Sequence, residues 1–201
     1  MLVIGITGPS GAGKGEVSSI FQSRYGFAVI DADKIYHDLV SFPSPCLEEI
    51  RAKFGDSVIN STGSLDRHAL GKIVFGEENT QRLAVLNGIT HKYVVCEIKK
   101  QIADYKEKNR DCVIDAPLLF EAHLDDECDF TVCVLADRAL RAERISHRDR
   151  ISIEDALLRI SSQKKDEYYT SKSDYIIRND GSTDLLEATL TKILSERRVI
   201  F

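Results

Sequence analysis

Residues 8–16 read GPSGAGKGE, and from Gly8 to Lys14 they follow the phosphate-loop pattern G-x-x-x-x-G-K. Glycines in such a loop let the backbone curl, so that successive N–H groups point inward at a bound phosphate. The helix that follows adds the positive end of its dipole, and the lysine adds a mobile charge for the β- and γ-phosphates. The stretch therefore predicts a site for the phosphates of a nucleotide.

The loop departs from its usual pattern at one position. The residue after the lysine is normally Ser or Thr, whose hydroxyl binds Mg²⁺, but here it is Gly15, followed by Glu16. Three interpretations are open: a working phosphoryl-transfer site, a variant that holds its metal differently, or a loop without activity. Because water readily fills a vacant position on Mg²⁺, we expect a working loop with weaker metal affinity. We also expect Glu16 to face away from the phosphates, along the helix.

Carboxylates follow two apolar, strand-like segments. Asp31 and Asp33 come at and after the end of FAVID, and Asp115 ends DCVID. Ligands of open α/β folds bind at the carboxyl ends of parallel strands, so these acids are predicted near the nucleotide. Asp33 and Asp115 are candidate Mg²⁺ ligands, directly or through water, and Asp33 is also a candidate general base for a hydroxyl acceptor. The alternative for each is a helix-capping or turn acid.

Basic residues form a third group. Arg141, Arg144 and Arg148 are spaced i, i+3 and i+7, which puts them on one face of a helix. On a mobile lid they could close over ATP and stabilise the transferring phosphoryl group. Because Glu143 and Asp149 lie among them, the alternative is a solvated, mixed-charge helix.

The elements that must position these residues alternate between strand-like and helical patterns. This alternation predicts a parallel sheet with helices on both faces. A gap of about 80 residues after the second strand is far longer than a crossover needs and predicts a helical sub-domain. A C-terminal helical stripe of Leu185, Leu186, Leu190, Ile193 and Leu194 is predicted to pack against the sheet. The predicted strands are residues 2–7, 27–31, 111–115, 129–135 and 174–178.

Composition narrows the class of protein. The 201 residues are 43% hydrophobic and 29% charged, with a formal net charge of −5, which is typical of a globular protein and disfavours nucleic acid as a partner. Its five cysteines form neither C-x-x-C nor a zinc-binding pattern, so free thiols in a reduced compartment are expected. The start, MLVIGITG, is typical of a strand rather than of a signal peptide. We expect a cytoplasmic protein, a monomer, without a membrane span.

Eight segments, taken together and in this order, resemble the dephospho-coenzyme A kinases from the N-terminus to about residue 181. The resemblance is specific because the segments also keep the family's intervals. They are GITGPSGAGKG, DADKI, GSLDRHAL, LNGITH, DAPLLFE, RAERISHR, RISSQ and SDYIIRNDG.

This resemblance implies a P-loop kinase fold, with five parallel strands in the order 2-3-1-4-5. It implies a nucleotide-binding core at 1–31, 108–137 and 173–201, a helical acceptor sub-domain at 32–107 and a lid at 138–172. The implied activity is transfer of the γ-phosphoryl group of ATP, with Mg²⁺, to the ribose 3′-hydroxyl of dephospho-coenzyme A. That reaction is the last step of coenzyme A biosynthesis.

The resemblance also implies roles for individual residues. Lys14, Asp33 and Arg144 are implied to be catalytic, with Asp33 as the base or as the group that orients the ribose hydroxyl. Residues implied to contact ATP are Ser10, Gly11, Ala12, Gly13, Lys14, Gly15, Glu16, Arg148 and Asn179, the last of them near the base. Residues implied to line the acceptor site are Asp33, Arg67, His91, Leu118, Leu119 and Glu121.

Four positions depart from the family pattern. Gly15 stands in place of Ser or Thr, Arg141 in place of Gln and Lys92 in place of Pro, while Tyr36 occupies a position where the family commonly has Ala. Gly15 alone leaves the metal site in doubt. Two alternative functions stay open for this reason: a kinase for a nucleoside or nucleoside monophosphate, and a nucleotide-binding regulatory module with little turnover.

Overall fold

A computed structural model of the chain describes residues 1–75 and 79–197. These residues form two compact units. The first unit contains Met1–Ile30 and the described residues from Asp104 onward, and the second is Asp31–Ala103. The predicted lid, 138–172, is part of the first unit, and the last four residues of the predicted core segment 173–201 lie outside the described residues.

Helices occupy most of the chain between and after the strands. Their ends follow local signals, such as Gly26 in the left-handed conformation (φ 76°) after the first helix and Pro45 at the start of the third. In the described residues the α-helices are α1 (Lys14–Tyr25), α2 (Ala32–Ser41), α3 (Pro45–Phe54), α4 (Arg67–Val74), α5 (Thr80–Glu107), α6 (Arg138–Asp149), α7 (Ile153–Ser161), α8 (Asp166–Thr170) and α9 (Thr183–Glu196).

The sheet of the first unit has five strands in the order β2-β3-β1-β4-β5, which confirms the predicted order. The pairs β1–β3, β1–β4 and β4–β5 are parallel. Ile6 of β1 lies opposite Asp115 of β3, so Asp115 ends its strand beside the residues that lead into the phosphate loop. The strands are β1 (Val3–Thr7), β2 (Ala28–Asp31), β3 (Cys112–Asp115), β4 (Phe130–Leu135) and β5 (Tyr175–Arg178).

Each strand begins one residue later than the sequence predicted. Three of the residues excluded in this way are aspartates whose carboxylates accept hydrogen bonds from amides of a neighbouring strand segment. Asp111 accepts from Leu2 N at 2.6 Å and Asp129 from Val3 N at 2.7 Å, and Asp174 accepts from Thr131 N at 2.7 Å. These aspartates therefore satisfy the first backbone donors of the sheet through their side chains.

The core of the first unit lies between the sheet, α1 and α9. Ile4 and Ile6 of β1 are fully buried against Val17 and Phe21 of α1. Four residues of the predicted α9 stripe are buried in this cluster or next to it, but Leu185 is 62% exposed. The next residue of the same helical turn, Leu186, is buried in the cluster, so Leu185 lies on the face of α9 away from the core and this part of the prediction was wrong.

The second unit is helical, as its apolar periodicity predicted. Helices α2, α3, α4 and the first half of α5 bury a separate cluster that includes Val40, Leu47, Ile50, Leu70 and Leu86. Asp66 caps α4 by accepting from Ala69 N at 2.9 Å, so an acid of the GSLDRHAL segment has a local structural role.

The five cysteines are free, as predicted. Cys46, Cys112 and Cys133 are buried, Cys128 is half-buried and Cys96 is exposed. Burial raises the pKa of Cys46 and Cys112 to about 11 and that of Cys128 and Cys133 to about 12. These four thiols are therefore protonated and poorly nucleophilic at neutral pH.

Among the described helices, none combines the length and the apolar character required to cross a membrane.

Candidate functional site

The phosphate loop connects β1 to α1 and touches two other strands. At Gly8 (φ 137°) an added Cβ would lie 2.2 Å from the carbonyl oxygen of Val134 in β4. At Gly13 (φ 92°) it would lie 2.2 Å from the side-chain nitrogen of Asn179, which follows β5. Both positions combine a left-handed backbone with direct contact, so only glycine fits them.

The N-terminus of α1 differs from most helix starts in the chain. In the described residues it has no side-chain cap, and its N-cap position is Gly13 in the left-handed conformation. The first N–H groups of a helix lack intrahelical partners and favour an anion. Six other helices have capped starts, with Asp31, Ser44, Asp66, Asp137, Ser152 and Ser182 as the capping residues.

Lys14 folds over its own loop. Its ammonium group donates to the carbonyl oxygens of Gly8, at 2.9 Å, and Pro9, at 3.4 Å. The next residue, Gly15, is exposed, and an added Cβ there would meet nothing within 4 Å. The loop therefore has room for the side chain that the usual pattern places at this position.

The Glu16 carboxylate is held by donors outside the loop. Its Oε2 accepts from the side chain of Asn179 at 3.0 Å, and its Oε1 accepts from the hydroxyl of Thr183 at 2.9 Å. Thr183 is the first residue of α9, whose positive dipole end also stabilises a carboxylate. Glu16 thus joins the start of α1 to the start of α9.

Arg141, which departs from the family pattern, is a buried support for the loop. It is 4% exposed, and its guanidinium donates to Ser10 O at 2.9 Å and to the side chain of Gln163 at 3.1 Å, and contacts Asp166 at 3.4 Å. The same Gln163 oxygen accepts from Ser10 N at 3.1 Å. Burial lowers the pKa of Arg141, and the Asp166 carboxylate opposes this effect. Of the three arginines that the sequence placed on one face of α6, this one is therefore committed to protein contacts.

Arg144 and Arg148 lie one and two turns further along α6. Arg144 donates to the carbonyl oxygens of Gly11, at 3.3 Å, and Ala12, at 3.4 Å, and to Asn179 O at 3.1 Å. Arg148 is exposed and lies 3.5 Å from the Ser10 hydroxyl, while Asp149 accepts from it at 2.7 Å. The arginine face of α6 therefore contacts the loop, and two guanidinium groups reach it without being fully buried.

Asn179 was implied to lie near the ATP base. The structure describes it as 2% exposed, with its amide donating to Ala12 O at 3.2 Å and to Glu16. Its backbone amide donates to Leu135 O at 2.8 Å. This arrangement favours a supporting role for the side chain, and direct contact with the base stays a prediction.

Asp115 is joined to α1 by a hydrogen bond that the sequence did not indicate. The hydroxyl of Ser18, one turn after Lys14, donates to the Asp115 carboxylate at 2.8 Å. Ser18 is 4% exposed and Asp115 is half-buried, so this bond is partly buried. A helix and a strand thus hold the carboxylate between them.

The segment after β3 contains three predicted acceptor residues. Leu118 is 44% exposed, whereas Leu119 is fully buried and lies where a Cβ on Gly5 would be. One Glu121 oxygen lies 3.6 Å from the Lys164 ammonium, and the other is buried with no hydrogen-bond partner in the described residues. Leu118 is therefore accessible to a ligand, Glu121 has one buried oxygen without a hydrogen bond among the described residues, and Leu119 has the surroundings of a core residue.

In the second unit, Asp33 and Arg67 occupy the first turns of their helices. Asp33 is exposed on α2, two residues after the end of β2. Arg67 begins α4, and its guanidinium carbon lies 5.8 Å from the centre of the Tyr36 ring. Burial raises the pKa of Tyr36, and Arg67 opposes this effect. The departure at Tyr36 thus provides an aromatic surface for Arg67.

His91 is half-buried on α5, beside the departure at Lys92. Lys92 donates to Glu49 of α3 at 2.6 Å, and the Tyr93 hydroxyl donates to the same oxygen at 2.7 Å. Lys92 is thus accommodated by an exposed ion pair between two helices and has a structural explanation.

Within residues 1–75 and 79–197, no group of three or more His, Cys, Asp or Glu side chains is arranged to hold a metal ion. Mg²⁺ is often bound through one or two carboxylates together with substrate phosphates and water. In the first unit, Asp115 offers a carboxylate at the end of β3, and this chemistry fits Mg²⁺ accompanied by a nucleotide.

Comparison with known proteins identifies the family to which this loop and its supports belong. The dephospho-CoA kinase family model matches residues 2–184. The chain belongs to the dephospho-CoA kinase family. The match includes every site residue predicted from the sequence, from Ser10 to Asn179.

Individual relatives agree with this assignment. The chain is 39% identical to a dephospho-CoA kinase of Saccharomyces cerevisiae, over 93% of this chain and 79% of the relative. It is 38% identical to a dephospho-CoA kinase of Carboxydothermus hydrogenoformans, over 96% and 91%. A solved dephospho-CoA kinase from Campylobacter jejuni superposes with a TM-score of 0.69 at 27% identity, over 96% of both chains.

Three supporting residues were not predicted to belong to the site. Ser18 had a signal, since it is the first hydroxyl one helical turn after Lys14. Gln163 lies in the RISSQ segment, which was noted only for its resemblance, and Thr183 had no signal beyond its place at a helix start. All three bond to predicted site residues or their backbone.

Proposed function

We propose that the chain transfers the γ-phosphoryl group of ATP to the ribose 3′-hydroxyl of dephospho-coenzyme A and so forms coenzyme A. The observation that carries the proposal is the family match over residues 2–184, which contains the phosphate loop and its lysine. The start of α1 at that lysine, which has no side-chain cap, supports ATP as the phosphoryl donor.

On the ATP side, the loop amides and Lys14 bind the β- and γ-phosphates. Arg144 and Arg148 approach the loop from α6, and their positive charge would stabilise the transferring phosphoryl group. Because Arg144 bonds only to carbonyl oxygens among its described partners, its charge has no carboxylate to neutralise it there. We assign the catalytic role on α6 to Arg144 and a phosphate-binding role to Arg148.

On the acceptor side, Asp33 would accept or orient the proton of the ribose hydroxyl. Arg67 and His91 would bind the anionic and polar parts of dephospho-coenzyme A, and Leu118 and Leu119 would wall the site. The buried, unpartnered Glu121 oxygen supports a hydrogen bond from the acceptor, since a buried acceptor left unpaired is costly.

Mg²⁺ would be held by phosphate oxygens of ATP with Asp115 and Asp33, directly or through water. When bound, it supplies charge neutralisation for the phosphoryl oxygens. The cytoplasmic location and the monomeric state stay predictions.

The activity is tested by supplying ATP and Mg²⁺ with four separate acceptors: dephospho-coenzyme A, AMP, UMP and uridine. Of the four acceptors, only dephospho-coenzyme A should support the release of ADP from ATP. Mass spectrometry should then show a product heavier than the acceptor by one phosphoryl group. Turnover with AMP, UMP or uridine instead would favour the nucleoside or nucleoside monophosphate kinase. ATP binding without turnover on any acceptor would favour the regulatory module.

Gly15→Ser should lower the Mg²⁺ concentration that gives half-maximal rate, by about two- to tenfold, the value of one added polar interaction. The position has open space around it, so the serine introduces no clash. The measurement is a magnesium titration of the initial rate, with Gly15→Ala as the control for the added Cβ. If wild type is inert and Gly15→Ser is active, the natural loop is disabled and the kinase assignment fails for this chain.

Arg67→Ala should raise the KM for dephospho-coenzyme A by about 10- to 100-fold, because a charge-assisted hydrogen bond contributes about 1.5–3 kcal/mol. The KM for ATP should change by less than about threefold, on the same reasoning that Arg67 binds the acceptor. Arg51→Ala is the matched control, since Arg51 is an exposed arginine of the same unit paired with Asp56. Weakened ATP binding with an unchanged acceptor KM would contradict the placement of Arg67 at the acceptor.

A further inference from the structure

The hydroxyl of Ser18 lies on the buried side of α1, beside two hydrogen-bond acceptors. Ser18 is 4% exposed, and its oxygen lies 2.8 Å from the Asp115 carboxylate and 3.1 Å from the carbonyl oxygen of Lys14. A serine hydroxyl has one proton, so it donates to one of these acceptors at a time. The shorter distance and the negative charge favour Asp115, since hydrogen bonds to ionised acceptors are shorter and stronger.

This bond connects the phosphate loop to the strand that carries the carboxylate. Ser18 is four residues after Lys14 on the same helix, and Asp115 ends β3 opposite Ile6 of β1. A shift of the Asp115 carboxylate would therefore break a bond to the helix whose first residue is Lys14. The carboxylate has a fixed partner on α1, although the helix lacks the usual hydroxyl at Gly15.

We propose that Ser18 is a positioning residue for Asp115: its buried hydroxyl fixes the carboxylate in the orientation that serves the Mg²⁺–nucleotide complex. The inference rests on the proposed function, because it needs ATP and its metal at this loop. Hydrogen-bond partners of metal-binding carboxylates fix the orientation of the ligand, and their loss typically costs about 10- to 100-fold in metal affinity. With no hydroxyl at Gly15, Asp115 carries a larger share of that affinity.

A purely structural role makes a different prediction. Serines inside helices often bond to the carbonyl four residues back, and this contact is local to the helix. Ser23 on α1 shows that contact alone, since its hydroxyl donates to Ser19 O at 2.8 Å and is exposed. Ser23→Ala is therefore the matched control for the loss of a helical serine without loss of a carboxylate partner.

The experiment measures binding rather than turnover. The affinity of the protein for the non-hydrolysable ATP analogue AMP-PNP is determined by titration calorimetry, once with EDTA and once with saturating Mg²⁺. The ratio of the two dissociation constants is the gain due to the metal. Ser18→Ala should reduce this gain about tenfold, as expected for loss of a partner of a metal-binding carboxylate, and leave the affinity in EDTA within about twofold. Ser23→Ala should change neither value.

Two further variants make the test specific. Ser18→Cys keeps a side chain of similar size, but a thiol is only a weak hydrogen-bond donor. This variant should therefore lose the Mg²⁺-dependent gain in affinity, as Ser18→Ala does. It tests the lost hydrogen bond even if the alanine variant is less stable. In an Asp115→Asn background, Ser18→Ala should change the gain by less than about twofold, because coupled residues give non-additive effects.

The outcomes separate the two proposals. A wild type that binds no AMP-PNP, or gains nothing from Mg²⁺, would overturn the proposed metal–nucleotide site together with the role of Ser18. A wild type with a clear gain that Ser18→Ala and Ser18→Cys both retain would overturn the role of Ser18 alone. Equal losses with EDTA and with Mg²⁺ would assign Ser18 to support of the loop and would also contradict the proposal.

Discussion

Asp33→Asn should lower kcat by about 10²- to 10⁴-fold, the usual value of general acid–base catalysis. A carboxylate that takes or orients the proton of the ribose hydroxyl acts mainly in the transition state, so the variant should bind ATP almost normally. Asn keeps the size and shape of the side chain but replaces one acceptor oxygen by an NH₂ donor and removes the negative charge. Asp33 is exposed in the first turn of α2, so the substitution places no new group in a core.

The measurement is steady-state kinetics with dephospho-coenzyme A as the varied substrate, together with direct titration of ATP. Asp38→Asn is the control, because Asp38 is an exposed acid further along the same helix. An Asp33→Asn enzyme within a few-fold of wild-type kcat would remove Asp33 from the mechanism and leave it a charge at a helix start.

Much of the fold follows from patterns that are local in the sequence. Five short apolar segments and the glycine loop predicted a parallel sheet, and the long gap predicted a helical insert, whereas the strand order was implied only by the resemblance to the dephospho-coenzyme A kinases. The strand starts differ by one residue because Asp111, Asp129 and Asp174 use their side chains where a strand residue would use its backbone. In each case an aspartate side chain, rather than a backbone carbonyl, accepts the first hydrogen bond from the neighbouring strand segment. Such a bond depends on which segments lie next to each other in the fold, so the spacing of apolar residues in the sequence does not predict it.

The site was harder to predict where a residue acts through another residue. The spacing of the arginines put three of them on one face of α6, and the structure agrees. It did not distinguish Arg141, which is buried among Ser10, Gln163 and Asp166, from Arg144 and Arg148, which keep solvent exposure. Burial separates Arg141, which supports the loop, from the two arginines that we propose to bind phosphate, and burial depends on which segments pack together.

Asn179 shows how a motif residue can also support the site. The resemblance implied that it lies near the ATP base, which stays a prediction, and the structure describes its side chain in contact with the phosphate loop. Its amide, however, donates to Ala12 O and to the Glu16 carboxylate. The departures at Arg141, Lys92 and Tyr36 likewise have structural partners, whereas the departure at Gly15 has only open space around it.

Lys14→Met should abolish nearly all turnover, with a loss in kcat of at least about 10³-fold at any Mg²⁺ concentration. Removing one neutral donor that stabilises developing charge typically costs about 10²- to 10³-fold, and Lys14 supplies a full charge. Methionine retains the unbranched side chain and much of its volume, so the loss reports on the charge.

The Lys14 ammonium group donates to Gly8 O and Pro9 O, two carbonyls of its own loop. The variant therefore loses a support of the loop as well, and the two effects must be separated. Thermal unfolding of the free protein measures how much stability the variant loses with these two hydrogen bonds. Single-turnover kinetics at saturating ATP measures how much the rate of phosphoryl transfer falls when the positive charge is removed. Lys192→Met on α9, where an exposed lysine faces Glu196, controls for the loss of a surface charge.

A rescue of Lys14→Met by high Mg²⁺ would mean that metal, rather than lysine, neutralises the phosphates in this loop. The magnesium rescue is an informative test for this chain because residue 15 is glycine. The loop therefore lacks the Ser or Thr hydroxyl that normally binds the metal at the start of α1. If Lys14 is instead indispensable at every metal level, the amides and the lysine carry the phosphates, and Asp115 with its Ser18 partner holds the metal. Phosphate binding by Lys14, at the start of α1, and metal binding by Asp115, which bonds to Ser18 one turn later, would then be separable functions.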